Sequence, residues 1–322
     1  MIRFPTNLIV LEGPDASGKS SLYQDVHKHS SFKWNIQDRS WLSMLVYGIM
    51  YGRDTSALAR GMWEELTCLN NRMVFVLPPW QTIKERFEKR GDDFQNEDSL
   101  KRVYSLFEEK DWLFNMPNVL HLDNAELDQE ESAAKVAGWV LTKEEDFGLD
   151  EIAAEVLRFV SNMPFTSEAK DCESTLNFTF YDDVVRNGSS SPCLEEYDVD
   201  IEDELLTDEE EGEYYKEITE KFMSKVKNEL NGFNEYSEEQ TLESRRFVYA
   251  DDRCISFIQA MFRNKTLDFH VVLRSSNVAK TFHKDLKFLH FLASHLIEDC
   301  PEFWDTRDVR FRFNINSAHL VR

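Results

Sequence analysis

Short apolar runs alternate with helix-like stretches through the first 145 residues. The apolar runs have the length of buried strands, and the longer stretches between them mix apolar and charged positions as surface helices do. Strands that alternate with helices favour an α/β fold with a parallel sheet covered by helices on both faces. The pattern predicts strands at residues 7–12, 32–37, 73–77 and 119–122, and helices at 20–28, 80–89, 98–109 and 129–141.

The alternation breaks near residues 142–147, where we expect a domain boundary. The domains predicted are a kinase-like unit at 1–145, the start of a second domain at 146–194, an acidic linker or insert at 195–221, and the rest of the second domain at 222–322. The second domain is predicted to hold helices at 150–160, 215–230 and 285–296, strands at 175–180, 257–262 and 267–273, a polar loop at 187–192 and a turn at 263–266.

Charge is unevenly placed along the chain. The net charge is −23, yet residues 195–221 alone hold fourteen acidic and two basic residues. Residues 245–322 hold thirteen basic and nine acidic residues, which makes this segment mildly basic. A run of this acidity favours a solvated linker, because it cannot bury enough apolar surface to fold alone. The alternative is a nucleic-acid mimic that screens a basic site.

Cysteine usage and hydropathy predict a cytoplasmic protein that does not span a membrane. Apolar residues make up 42% of the chain, but no stretch approaches the roughly 20 consecutive apolar residues of a membrane span. Residues 1–10 carry no export-signal pattern. The number of cysteines is odd and they are dispersed along the chain, which is typical of reduced thiols in a cytoplasm. If the protein is viral, this is the cytoplasm of the host. The cysteines are Cys68, Cys172, Cys193, Cys254 and Cys300.

One motif carries specific chemistry. Residues 13–20 read Gly-Pro-Asp-Ala-Ser-Gly-Lys-Ser, which fits G-x-x-x-x-G-K-[ST] between a predicted strand and a predicted helix. In this motif the glycines let backbone N–H groups point at phosphates, the lysine reaches the β and γ oxygens, and the hydroxyl holds Mg²⁺. The sequence therefore predicts an ATP-binding loop with Mg²⁺, in which the cofactor-binding residues are Gly13, Asp15, Ser17, Gly18, Lys19, Ser20 and Ser21.

Residues 11–20, together with Asp38-Arg39-Ser40, resemble the thymidylate kinase and deoxynucleoside kinase group. The resemblance implies that Asp38 works beside Mg²⁺, with Ser20 as the other metal ligand, and that Arg39 orients phosphate. Arg86 and Arg90 lie four residues apart and resemble the group's lid arginines, which neutralise the transferring phosphoryl group. The predicted catalytic residues are thus Lys19, Asp38, Arg39, Arg86 and Arg90, and structural roles for the arginines and for Asp15 stay open.

The spacing departs from that group at one point. In thymidylate kinases a helical insert that binds the acceptor separates the phosphate loop from the aspartate-arginine motif. Here only eighteen residues lie between Lys19 and Asp38, which one helix and one strand use up. We therefore expect that the pocket for a free nucleoside monophosphate is missing or is supplied from elsewhere in the chain.

Residues 150–322 resemble, in part, thymidylate synthases and phage deoxypyrimidine hydroxymethylases. The resemblance rests on an ordered series: Arg245-Arg246, Cys254 with Gln259 five residues later, Arg274, Asn277, Asp285 and Ser317-Ala318-His319. It implies a reduced α+β domain that binds a pyrimidine deoxynucleotide and dimerises. The acceptor-binding residues it implies are Arg245, Arg246, Gln259, Arg274, Asp285 and His319. Folate-binding parts are missing, so we expect Cys254 to be catalytically inactive.

Three functions follow. The favoured one is an ATP-dependent kinase that phosphorylates 5-hydroxymethyluracil in phage DNA during thymidine hypermodification, since the second domain could expose a base for reaction. The second is a deoxynucleoside monophosphate kinase with a helper domain. The third is a non-catalytic, nucleotide-binding dimer module. The acidity of the chain opposes a DNA acceptor, and its basic C-terminal segment softens that objection.

Overall fold

A computed structural model describes residues 2–91, 96–143, 148–163, 170–183, 209–234 and 247–321. The chain divides into two compact units, one formed by Pro5–Glu145 and the other by Met1–Phe4 with Asp146–Arg322. The predicted first domain thus loses its first four residues to the second unit. The reason is that strand β1 (Ile2–Arg3) pairs with a strand of the second sheet, and Phe4 stacks on Phe178 with ring centroids 6.1 Å apart.

The first unit confirms the predicted parallel sheet. Four strands lie in the order β3-β2-β4-β5, and every pairing is parallel. The elements in chain order are β2 (Leu8–Glu12), α1 (Lys19–His29), β3 (Ile36–Asp38), α2 (Trp41–Met50), α3 (Ser56–Leu66), β4 (Asn71–Val76), α4 (Trp80–Arg90), α5 (Glu97–Glu108), β5 (Val119–Leu122) and α6 (Gln129–Thr142).

Alternation along the central strands places apolar side chains on both faces of this sheet. On one face, Val74 and Val76 pack in a core with residues of α1 and α6. On the other face, Phe75 meets the ring edge of Phe107 from α5 at 5.8 Å. Because Val74, Phe75 and Val76 are all fully buried, β4 needs helices on both faces of the sheet.

The segment after Asp38 differs most from the prediction. Residues 41–66, for which no element is predicted, form the helical pair α2 and α3. The predicted strand at 32–37 is reduced to β3, because Ser31 and Phe32 take positive φ values of 50° and 60° and the chain turns there. The unit therefore carries a helical pair after the aspartate-arginine motif.

The second unit is built on a mixed sheet. Its strands lie in the order β1-β6-β11-β9-β8-β7, with β10 on β11, and β11 runs parallel to β9 but antiparallel to β6. The remaining elements are α7 (Leu149–Ser161), β6 (Lys170–Asp183), α8 (Glu209–Asn234), β7 (Phe247–Ala250), β8 (Ile255–Arg263), β9 (Thr266–Leu273), β10 (Ser276–Asn277), α9 (Phe282–Asp299) and β11 (Asp308–Val321).

The acidic run is not a linker throughout. From Glu209 onward it belongs to α8, where Tyr215, Ile218 and Phe222 are buried at helical spacing. This apolar stripe overrides the charge of the surrounding positions, since a helix needs only one face to pack. Residues 195–208 and the predicted polar loop at 187–192 lie outside the described residues.

Candidate phosphoryl-transfer site

The motif at residues 13–20 forms the loop between β2 and α1. Gly13 has φ of +141°, and a Cβ atom there would lie 2.2 Å from the carbonyl oxygen of Val76. Gly18 has φ of +99° and begins α1. Both positions demand glycine, because an L side chain is strained at these angles and would collide at the first. The loop can therefore curl against the ends of β2 and β4.

The carbonyl group of Ser17 points away from the inside of this curl. It accepts hydrogen bonds from Arg86 Nη1 at 3.1 Å and from Asn124 Nδ2 at 3.0 Å. In a trans peptide the N–H of the next residue points the opposite way, so the amide of Gly18 faces inward. An inward amide at the N-terminus of a helix favours anion binding.

Arg86 braces this arrangement. Besides Ser17, it donates to Asn124 Oδ1 at 3.0 Å and to the Asn124 carbonyl oxygen at 2.8 Å. The predicted lid arginine thus ties the phosphate loop to the segment after β5. Arg90 lies exposed in the last turn of α4, just before residues 92–95, which the structure does not describe.

Lys19 lies buried at the centre of the loop. Its Nζ donates to the carbonyl oxygen of Pro14 at 2.6 Å and contacts Ser17 Oγ at 3.2 Å. Burial lowers its pKa to about 8, and the positive charge of Arg39 adds to this effect. The loop therefore concentrates a cation where the motif places phosphate oxygens.

Ser20 and Asp38 come together although seventeen residues separate them. Ser20 Oγ donates to Asp38 Oδ2 at 3.3 Å, and both residues are exposed beside the loop. A hydroxyl and a carboxylate are hard oxygen ligands of the kind Mg²⁺ prefers. The pair fits the predicted metal ligands, and Ser21 lies partly exposed in the same first turn of α1.

A second polar group includes Asp15 of the loop and Arg39, the residue after Asp38. Asp15 forms an ion pair with Arg39 through Oδ1 and accepts a hydrogen bond from the Tyr47 hydroxyl at 2.6 Å through Oδ2. The Arg39 guanidinium lies 5.4 Å from the centre of the Tyr47 ring. Burial raises the pKa of Tyr47 to about 12, and its hydrogen bond to Asp15 contributes. Sequence reasoning missed Tyr47 because α2 was not predicted.

In the second unit, the structure brings several predicted acceptor-binding residues to one end of the sheet. The Arg274 amide donates to the Cys254 carbonyl oxygen at 2.8 Å, and Ser276 Oγ lies 3.4 Å from Asp285 Oδ2. Asn277 pairs with His319 across β10 and β11. Three short links thus place Arg274, Asp285 and His319 near that end.

These residues differ in how accessible they are. Asp285 is buried, and its other carboxylate oxygen accepts a hydrogen bond from the Tyr215 hydroxyl at 3.0 Å. His319 is also buried, and its Nδ1 lies 3.0 Å from the carbonyl oxygen of Ser317. Arg274 and Cys254 are exposed.

Gln259 does not join this group. It lies within β8 opposite His270, and five residues of extended chain place it roughly 16 Å from Cys254. Its predicted role in acceptor binding stays a prediction. Arg245 and Arg246 lie outside the described residues.

No protein-family model matches the chain, and no curated protein matches it in sequence. Among solved structures, the Bacillus subtilis YorR protein in complex with phosphorylated GDP matches 42% of this chain and 96% of its own, at 20% identity and a TM-score of 0.36. The deoxyadenosine kinase of M. mycoides with bound dCTP matches 42% of this chain and 99% of its own, at 14% identity and a TM-score of 0.31.

The thymidylate kinase of Candida albicans matches 44% of this chain and 93% of its own, at 14% identity and a TM-score of 0.33. In these comparisons about 42% of this chain resembles P-loop nucleotide kinases. Within the described residues, no helix is both long enough and apolar enough to cross a lipid bilayer.

Proposed function

We propose that the chain is a Mg²⁺- and ATP-dependent phosphotransferase that acts on a nucleotide. The observation that carries this proposal is that the loop brings a buried cation close to two polar pairs. Ser20 and Asp38 form one pair, Asp15 and Arg39 form the other, and the charges of Asp15, Asp38 and Arg39 all act on Lys19. A kinase needs such an arrangement, because phosphate donor and acceptor must be held beside the same cation.

Each group has a distinct task in this proposal. The loop amides and Lys19 hold the β- and γ-phosphates, and Ser20 with Asp38 would hold Mg²⁺, which neutralises phosphate charge when bound. Asp38 also orients the accepting oxygen. Arg39 stabilises the charge that spreads over the transferred phosphoryl oxygens, since its guanidinium is permanently charged and planar.

The favoured acceptor is a pyrimidine deoxynucleotide, most specifically the hydroxymethyl group of 5-hydroxymethyluracil in phage DNA. A strip of exposed side chains along α2 and its C-cap supports a polymeric acceptor, namely Trp41 (38% exposed), Met44 (45%) and Tyr51 (59%), with Tyr47 partly exposed between them. These positions span ten residues, or about 15 Å of helix. That length exceeds one nucleotide.

Two arginines flank the aromatic rings of this α2 strip. Arg39 lies over Tyr47 and Arg53 lies over Tyr51, each 5.4 Å from the ring centre, and the two rings stack on each other at 6.5 Å. Aromatic rings beside cations bind single-stranded nucleic acid by stacking on its bases and pairing with its phosphates. The strip begins at the proposed transfer site, where a flipped or unpaired base would need to lie.

A deoxynucleoside monophosphate kinase is the second candidate, and one observation favours it. Tyr47 reaches Asp15 from α2, so the first unit supplies an acceptor-side contact after the motif. Because the path from Lys19 to Asp38 is short, we expect no acceptor pocket between them. Tyr47 lies after Asp38 and is a candidate for acceptor contact within the same unit. The non-catalytic dimer module has no comparable support, since Lys19, Ser20 and Asp38 are all in place.

Radiolabelled ATP offered to different acceptors separates these candidates. The full chain is incubated with Mg²⁺ and either the four deoxynucleoside monophosphates or single-stranded and duplex DNA containing 5-hydroxymethyluracil. Label in the modified DNA, and none in DNA containing thymine, is expected. Label in a free monophosphate alone would replace the first candidate with the second. No label in any acceptor would contradict the proposed function.

A further inference from the structure

The turn that carries Asp38 and Arg39 is held in a strained conformation. Arg39 has φ of +69°, in the left-handed region that non-glycine residues seldom adopt. Its amide donates to the carbonyl oxygen of Leu11 at 3.0 Å, which ties the turn to β2. Such a conformation persists only where surrounding contacts determine it. The neighbours of Ser40, the next residue, supply those contacts.

Glu12 is the first of these neighbours. Its side chain is 0% exposed and lies at the end of β2, just before the phosphate loop. Its Oε1 accepts hydrogen bonds from the Ser40 amide at 2.7 Å, the Ser40 hydroxyl at 3.0 Å and the Ser43 amide at 3.3 Å. Its Oε2 accepts from the Ser43 hydroxyl. One buried carboxylate therefore fixes both the end of the turn and the start of α2.

Glu65 reaches the same hydroxyl from α3. The Ser40 Oγ atom lies 2.5 Å from Glu65 Oε1 while it also contacts Glu12. A serine hydroxyl has one hydrogen and can donate only one of these two bonds. The other bond needs a proton on a carboxyl group. Glu12 and Glu65 together therefore hold one proton when all the contacts are made.

The electrostatic setting agrees with this hydrogen count. Burial raises the pKa of Glu65 to about 7, a net result that includes a hydrogen bond from Ser40 that lowers the pKa and the negative charge of Glu12 that raises it. Burial also raises the pKa of Glu12. The charged group that faces Glu65 is Glu12. Glu12 itself faces Lys19, whose other charged neighbours are Arg39, Asp15 and Asp38.

We propose that Glu12, Ser40 and Glu65 form a one-proton clamp that positions Asp38 and Arg39 for phosphoryl transfer, an inference that rests on the proposed function. With the proton present, both carboxyl groups grip Ser40 and the strained turn is held. When the proton leaves, two buried carboxylates face one hydroxyl hydrogen. Glu65 then releases Ser40, and the turn loses the contact from α3. Glu65 is thus a positioning residue that acts through Ser40.

The test compares Glu65→Gln, Glu65→Ala and a matched control, Glu64→Gln, which makes the same chemical change at an exposed position of α3. The side-chain amide that Glu65→Gln introduces can donate to Ser40 without titrating. We expect wild type and Glu64→Gln to lose kcat as pH rises through about 7, and Glu65→Gln to lack that loss. Below pH 7, Glu65→Ala should lower kcat roughly ten- to a hundredfold, the usual effect of misplacing reacting groups, with ATP affinity within about threefold of wild type. Above pH 7 this difference should shrink, because wild type then loses the same contact.

Two results would overturn the clamp. One is a pH profile of Glu65→Gln that matches wild type, and the other is a kcat of Glu65→Ala within twofold of wild type across the range. A matching loss of ATP affinity in Glu65→Ala would point to a role in the fold instead.

A stability measurement tests the clamp even if no acceptor is phosphorylated. A carboxyl group whose pKa is raised in the folded state contributes stability that is complete below its unfolded pKa, near 4.5, and is lost as pH rises to about 7. Chemical unfolding can be followed by tryptophan fluorescence, since six of the seven tryptophans lie in residues 5–145. The wild-type midpoint should fall between pH 5 and 7.5, and less so in Glu65→Gln. Equal falls in wild type, Glu65→Gln and Glu64→Gln would contradict the clamp.

Discussion

Ser20 Oγ donates a hydrogen bond to Asp38 Oδ2 at 3.3 Å, which joins the first turn of α1 to the end of β3. The contact follows from the parallel pairing of β2 with β3, which places Asp38 opposite Leu11, close to where the loop begins. Loops after the carboxyl ends of neighbouring parallel strands meet at one edge of a sheet. The proposed Mg²⁺ ligands are therefore positioned by backbone pairing.

Replacing Asp38 with asparagine should reduce turnover much more than ATP affinity. Its proposed tasks, at Mg²⁺ and the accepting oxygen, matter mainly in the transition state. We expect kcat to fall about a hundredfold or more, with the Kd for ATP within about threefold of wild type, since the loop and Lys19 still hold the phosphates. Steady-state kinetics with equilibrium ATP binding measure both. Equal losses in kcat and affinity would assign Asp38 a structural role.

ATP affinity should decrease as pH rises through about 8. Burial lowers the pKa of Lys19 to about 8, so below that pH the ammonium is charged and above it the charge is lost before phosphate binds. We expect the Kd to rise up to about tenfold per pH unit above this point, because binding then requires proton uptake. Lys19→Arg keeps its charge and should bind ATP more weakly with a flat profile between pH 7 and 9. A steep profile in Lys19→Arg would exclude Lys19 as the titrating group.

Arg86 and Arg90 should behave differently when each is replaced by alanine. Arg86 holds Ser17 and Asn124, so Arg86→Ala should loosen the loop and weaken ATP binding about tenfold, the equivalent of one or two hydrogen bonds. Arg90 is the other predicted lid arginine, and Arg90→Ala should lower kcat with unchanged ATP affinity. If Arg86→Ala binds ATP normally but loses much of its kcat, Arg86 acts on the transferring phosphoryl group, as a lid arginine does, and does not merely support the loop.

The α2 strip should matter for a DNA acceptor and not for a free nucleotide. Tyr51→Ala and Arg53→Ala should each raise the KM for single-stranded DNA. For Tyr51→Ala the loss is roughly 1–3 kcal/mol, the value of one stacking ring. Phosphorylation of DNA should also decline steeply with salt, since each neutralised phosphate releases counterions. Phe32→Ala is a suitable control, because Phe32 is 73% exposed but lies outside α2. If both strip variants keep the wild-type KM for DNA, the α2 strip does not bind the acceptor.

The phosphate loop was predictable because its glycines are dictated by local backbone geometry. Gly13 abuts the Val76 carbonyl group and Gly18 needs a positive φ, and no other residue type satisfies both positions at low cost. The strands β2, β4 and β5 were predictable for a related reason. Their apolar runs are short, and those of β2 and β4 are buried on both faces, which is typical of parallel strands.

Helices α2 and α3 were not predicted because the sequence of α2 hides its period. Leu42, Leu45 and Val46 are buried, but Trp41, Met44 and Ile49 are exposed, so apolar residues surround the whole helix. A helix of this kind shows no amphipathic pattern. The contacts of Tyr47 with Asp15 and of Glu65 with Ser40 were therefore not predicted either, since both depend on the placement of these helices.

The strand β11 shows a signal that was present and missed. Val309, Phe311 and Phe313 are buried, and Arg310 and Arg312, which alternate with them, both pair with Asp268 on the neighbouring strand β9. This period of two is typical of a half-buried strand. No element is predicted here, because the partner of these charged residues lies on a different strand.

The central claim is that Lys19 and its loop transfer the γ-phosphoryl group of ATP to a nucleotide. The most direct measurement is transfer of label from γ-³²P-ATP to the accepted nucleotide or DNA by the full chain, with wild type and Lys19→Ala compared at pH 7 and their folding checked by circular dichroism. We predict labelled acceptor with wild type and a loss of about a hundredfold or more in Lys19→Ala, because the transferred group then loses its buried cation. A folded Lys19→Ala variant that transfers label at the wild-type rate would contradict the account.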